Sequence, residues 1–103
     1  ANAEARGAQL MAGLRRLQQD YPVIGDVRGL GLMIGTEFRT AQGQPDKQAA
    51  KAVVSACLER QLMLLTCGPW DNTVRWIPPL VVTEAQVDQA LEIFSQALAQ
   101  ACP

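Results

Sequence analysis

Apolar residues in this chain recur at two different spacings, and the order in which those spacings alternate constrains the fold more than any other feature. Three stretches carry the helical spacing. From about Ala3 to Asp20, Leu10, Leu14, Leu17 and Tyr21 make one stripe, with Arg15, Arg16, Gln18 and Gln19 off it, and Pro22 ends the run. A second helix is predicted from Asp46, an N-cap after Pro45, to near Gln61, with Ala50, Val53, Val54, Cys57 and Leu58 as its buried face. The third has the sharpest start. Thr83-Glu84-Ala85-Gln86 is a capping box, in which the threonine and glutamine satisfy free backbone donors reciprocally, and Val82 and Val87 are placed as its hydrophobic staple. Val87, Ala90, Leu91, Phe94 and Leu98 then carry the apolar stripe.

Strand patterns fill the gaps. Val23 to Val27 is short. Leu30 to Phe38 alternates, with Leu32, Ile34, Thr36 and Phe38 on one face and Met33, Gly35 and Glu37 on the other. Leu62 to Thr66 is a continuous apolar run, as expected of a strand covered on both faces. Thr73 to Ile77 is a further strand, which stops at Pro78 and Pro79. The order helix–strand–strand–helix–strand–strand–helix predicts an α+β domain: a small, mostly antiparallel sheet of three or four strands, with three helices packed mainly on one face. At 103 residues it forms a single domain over 1–103 with one core. The stretch 40–45 is the expected flexible loop.

Composition removes whole classes of function. Lys plus Arg number 9 against 10 for Asp plus Glu, with no basic patch, so nucleic acid is not an expected partner. Neither is a membrane, because no apolar run approaches the roughly 18 residues of a spanning helix. Three cysteines without CxxC spacing argue against a disulfide framework and for a reducing, cytoplasmic setting. With no histidine, Cys/His zinc sites, Ser-His-Asp triads and imidazole acid–base catalysis are all absent, and no metal site is expected. The chain starts at Ala1 without an initiating Met and reads as a piece of something longer.

Few motifs invite chemistry. Gly29-Leu30-Gly31-Leu32-Met33-Ile34-Gly35 is spaced GxGxxxG and opens a strand rather than a helix, so it suits a tight turn and close strand packing, not a dinucleotide. Lys47 and Lys51, the only lysines, lie off the apolar stripe of their helix, in water, where no Schiff-base lysine would be tuned. Glu84, Asp88 and Glu92 line one solvated side of the third helix. Cys67 has no His or Lys beside it and reads as a neutral, packing thiol. Arg28, placed at the end of the first short strand, suits a structural role, bracing carbonyls or pairing with a carboxylate. Arg75 has two readings. It is an edge-strand arginine paired with an acidic side chain, or its guanidinium faces a pocket and binds a carboxylate bidentately.

Two segments, DVRGLGLMIGTEF (26–38) and CGPWDNTVRWIPPLVVTEAQVDQALEIF (67–94), resemble the C-terminal small domain of class III aminotransferases, the fold-type-I pyridoxal-phosphate enzymes that include the 4-aminobutyrate and ornithine aminotransferases. The likeness runs through nearly the whole chain in the same order, and the Cys-Gly loop leans towards the 4-aminobutyrate group. It implies that Arg75, in the R-x-x-P-P-L segment, reaches into an active site and pairs with the substrate carboxylate, typically that of glutamate or 2-oxoglutarate. It also implies what is elsewhere. The Schiff-base lysine, the aspartate at the pyridine nitrogen and the phosphate-binding loop belong to a large domain, so no catalytic or cofactor-binding residue is expected in this chain and alone it should be inactive. The implied cofactor is pyridoxal 5'-phosphate, bound mainly by the large domain. The implied partners are small amino and keto acids, that large domain, and a second subunit in a homodimer. Aminomutases, decarboxylases and racemases share the same domain, and a free-standing ligand-binding or interaction module is the alternative from another class.

Overall fold

Each helix begins where a side chain supplies the missing hydrogen-bond partners. The computed structural model describes residues 2–30, 33–76 and 82–102, Leu30 by its backbone. It contains α1 (Asn2–Asp20), β1 (Ile24–Leu30), β2 (Met33–Phe38), α2 (Lys47–Glu59), β3 (Leu65–Cys67), β4 (Thr73–Trp76) and α3 (Glu84–Ala101). At α2 the Asp46 carboxylate accepts from the Ala49 amide at 3.0 Å. At α3 both halves of the capping box are made: the Gln86 amide donates to Thr83 Oγ1 at 3.1 Å and the Thr83 amide to Gln86 Oε1 at 2.9 Å. Val82 and Val87 are both buried beside it. After α2, Gln61 takes a left-handed φ of 66°, and the amides of Gln61 and Leu62 close the helix end onto Leu58 and Cys57.

The strands form one antiparallel sheet in the order β1-β2-β4-β3. Its register sets two kinds of row. Val27, Thr36 and Val74 line up on one face, and Arg28, Gly35, Arg75 and Leu65 line up on the other. The first face is covered: Ile34, Thr36, Phe38, Val74 and Trp76 are buried there with Leu10 and Leu14 of α1, Val53 of α2 and Phe94 and Leu98 of α3. α3 packs against both α1 and α2, and at Gly13 the approach is so close that a Cβ would collide with Leu91. The second face is open, with Met33 65% and Leu65 60% exposed.

The predicted fold class and element order are those observed, with local corrections. The strand expected over Leu62 to Thr66 is only Leu65–Cys67, at the sheet edge, and it is not covered on both faces. The left-handed turn at Gln61 uses up Leu62 to Leu64, and Met63 is left 75% exposed. β1 is longer than Val23 to Val27 and carries a register irregularity between Ile24 and Asp26. β2 starts at Met33 rather than Leu30; Leu32 of its predicted inner face lies outside the described residues, as do Ile77, Pro78 and Pro79 at the end of the Arg75 strand. On α2, Leu58 is exposed and Ala56 takes its place in the core.

Candidate functional site

Strand β4 is locked before it presents its arginine. Asn72, buried at its start, donates from Nδ2 to the Phe38 carbonyl at 2.8 Å, and its own carbonyl accepts from the Phe38 amide at 2.8 Å. Val74 and Trp76 point into the core, where the Trp76 ring meets Phe94 edge-on with centroids 4.8 Å apart, a contact worth about 0.5–1.5 kcal/mol. Thr36 Oγ1 donates to the Val74 carbonyl at 3.3 Å. With its two neighbours pinned inward, Arg75 must point to the open face. It stands over a concavity of about 380 Å³ whose walls include Arg28, Met33, Gly35, Cys67, Thr73 and Arg75 itself.

The first of the two readings of Arg75 does not hold. β4 is an inner strand, flanked by β2 and β3, and among the described residues Arg75 has neither an ion pair nor a side-chain hydrogen bond. The acidic groups of the open face are committed elsewhere. Arg28 Nη1 lies 3.0 Å from Asp26 Oδ2 and 2.9 Å from Glu37 Oε2, and Arg39 holds Glu37 through Nε at 3.2 Å and Nη2 at 3.1 Å. Partial burial pushes the Glu37 carboxyl up, but the hydrogen bonds from Arg28 and Arg39 outweigh it and hold it below the usual carboxylate range. The hydrogen bonds to Glu37 and Asp26 in turn raise the Arg28 guanidinium above its ordinary value. Arg28 lies inside β1 rather than at its end, and its role is the expected pairing, with two carboxylates rather than one.

The remaining candidates fall out as follows. Lys51 reaches Asp71 at 3.2 Å, and Lys47 is exposed; neither lines the concavity. Asp71, in a left-handed turn at φ 54°, is held below the usual carboxylate range by hydrogen bonds from Thr66 and Lys51. Glu84 meets Arg6 at 3.4 Å, Asp88 accepts from Gln9 at 2.8 Å and Glu92 accepts from Gln96 at 3.2 Å, so this side of α3 is a polar face that also ties α1 to α3. Cys67 is half-buried on the wall of the concavity. Gly29 is needed for packing: a Cβ there would collide with the Met33 carbonyl and come within 2.7 Å of Ile34 Cα. The Asp26–Arg28–Glu37–Arg39 network was not foreseen. Its sequence traces are two i, i+2 pairs, Asp26/Arg28 and Glu37/Arg39, and the register of β1 on β2 brings them together.

Residues 1–98 match the sequence pattern of the family Aminotransferase class-III. The chain is 41% identical over 99 residues to the 5-aminovalerate aminotransferase DavT of Pseudomonas putida, covering 95% of this chain and 23% of that protein. It is 40% identical over 97 residues to the 4-aminobutyrate aminotransferase GabT of Escherichia coli, covering 92% and 23%. Among solved structures, a phospholyase from Arthrobacter in complex with phosphoethanolamine superposes with a TM-score of 0.92 at 28% identity, covering 96% of this chain and 24% of that one. The chain therefore belongs to the class III aminotransferase family. It spans just under a quarter of the length of the curated relatives it matches.

That family depends on pyridoxal phosphate. The cofactor is carried on a lysine amine, with an acidic or basic partner at its ring nitrogen. The residues present do not fit it. Both lysines stand off the concavity, one exposed and one paired with Asp71, and Gly29 and Gly35 lie within β1 and β2 rather than at a helix N-terminus. What the chain offers instead is the Arg75 guanidinium, unpaired among the described residues, on a recessed and mostly apolar wall, a group suited to the fork geometry of a carboxylate.

Proposed function

We propose that this chain is the C-terminal small domain of a pyridoxal-phosphate aminotransferase of the 4-aminobutyrate or ω-amino acid type, and that Arg75 holds the carboxylate of an amino or keto acid, with 2-oxoglutarate or a similar acid as acceptor. The observation that carries the reading is the isolation of Arg75: Arg28 and Arg39 on the same face are paired with Asp26 and Glu37, while Arg75 faces the concavity without an acidic partner among the described residues. The relatives' names support the substrate class. In this reading the cofactor and its lysine belong to a large domain that meets the open face, the complete enzyme is a cytoplasmic homodimer, and the 103-residue chain is inactive by itself.

The test is Arg75→Ala and Arg75→Lys in the complete enzyme. Leaving a bound carboxylate unpaired costs about 2–5 kcal/mol, so Arg75→Ala should raise KM for 2-oxoglutarate roughly 30- to 5,000-fold while the absorbance of the bound cofactor stays unchanged. Arg75→Lys keeps the charge but loses the fork, and should fall between. An unchanged KM in Arg75→Ala would remove Arg75 from substrate binding. The phospholyase superposition favours one second reading, elimination of phosphate from a phosphorylated amine. Release of inorganic phosphate from phosphoethanolamine, without amino transfer to any keto acid, would select it.

A further inference from the structure

Gly35 is the glycine of the open face that the backbone does not demand. Its φ is not in the left-handed region, unlike those of Gly43 and Gly68. A Cβ at Gly29 would run into backbone, but a Cβ at Gly35 meets only the Thr73 Cγ2 methyl, at 3.1 Å, a few tenths of an ångström too tight. What distinguishes the position is where a side chain would go. Gly35 pairs with Arg28 on one side and Arg75 on the other, so it stands midway between the two arginines, whose Cα atoms are about 10 Å apart across two strand spacings. By period 2 its side chain would project into the concavity that both arginines line. The charges there are graded. Arg28 is paired with Asp26 and Glu37, so among the described residues lining the space Arg75 is the cation left without a carboxylate, and an anion is turned away from the Glu37 side.

Resting on the reading of Arg75 as a carboxylate ligand, we propose that Gly35 is a specificity-determining position. Its missing side chain leaves a slot beside the Arg75 guanidinium that admits an unbranched, carboxylate-terminated chain, and any larger residue would fill that slot.

The experiment follows the Arg75 Nε–Hε resonance, identified by its loss in Arg75→Lys, while the 103-residue chain is titrated with glutarate. The resonance should shift saturably in the wild type. The informative variant is Gly35→Ala combined with Thr73→Ser, because serine keeps the hydroxyl on the wall but removes the methyl that the new Cβ would meet. Thr73→Ser alone is the reference. The double variant should keep the Trp76 and Phe94 core signals and need about tenfold more glutarate or beyond, as expected of an overpacked site. A second measurement needs no variant: 3,3-dimethylglutarate should bind the wild type about tenfold more weakly than glutarate. Equal binding of the branched and unbranched acids, or an undiminished response in the double variant, overturns the slot and leaves Arg75 in place. No shift at Arg75 in the wild type overturns the slot, and an unchanged KM in Arg75→Ala of the complete enzyme overturns the carboxylate reading with it.

Discussion

Arg28 and Arg75 stand in one row of the sheet, on either side of Gly35, and the same guanidinium does opposite things in the two places. Arg28 has Asp26 on its own strand and Glu37 on the next, and it becomes part of a neutral brace. Arg75 has Gly35 and Leu65 beside it and no carboxylate within the described network, so its charge is left for a ligand. Alternation along the strand was enough to place Arg75 on the face opposite Val74. Which acids reached it was not legible, because cross-strand register sets that and no local spacing encodes register. The core offers a second residue-scale test at Cys57, which is fully buried on α2. Burial pushes its thiol from 9.0 up to about 11, with a small opposing pull from Arg60. The folded state therefore holds the proton more tightly than the unfolded chain. Cys57 stabilises the fold fully below pH 9.0 and loses that contribution as pH rises towards 11. Across that window the wild type should lose about 2–3 kcal/mol more stability than Cys57→Ala, measured by urea denaturation at each pH. Parallel alkaline slopes for the two proteins would mean that the buried thiol does not drive the loss.

Elements whose signals are short-range were the legible ones. The start of α3 was placed to within a residue by its capping box, and that of α2 by Asp46, because an N-cap needs only the next three residues. β3 was misread for the converse reason. The apolar run Leu62 to Leu65 looks like a doubly covered strand, yet Leu65 is exposed because it shares the uncovered face with Arg75, its partner on β4, a long-range outcome. The open face follows from the same topology: all three helices lie on one side, so the apolar residues that period 2 sends to the other side stay uncovered. The α3 cap is the element that can be tested most directly. Thr83→Ala removes the acceptor for the Gln86 amide, and the exposed Gln86 side chain no longer closes the reciprocal pair. Because α3 bridges α1 and α2, the loss should appear as global destabilisation of about 1 kcal/mol. Thr83→Ser, which keeps the oxygen, should recover most of it. A Thr83→Ala midpoint equal to the wild type in urea denaturation would show that the box adds nothing measurable to this helix.

At the scale of the whole chain, the fold divides labour between its two sheet faces. One face is packed by three helices and carries the stability; the other carries Arg75, the concavity and exposed Met33 and Leu65. Among the described residues neither face offers a lysine site for the family's cofactor, since Lys51 is tied to Asp71 and Lys47 is exposed to water. A Schiff-base lysine needs a desolvated site, and both of these amines stand on the exposed side of α2. Incubation of the chain with pyridoxal phosphate, followed by borohydride reduction and intact mass measurement, should therefore give no stoichiometric adduct. Substoichiometric labelling spread over Lys47, Lys51 and the amino terminus is the expected background. A single complete adduct at Lys47 or Lys51 would show that one of them sits in a site that tunes it. The assignment of cofactor chemistry to protein outside this chain would then be wrong, while the role of Arg75 would still stand on its own measurement.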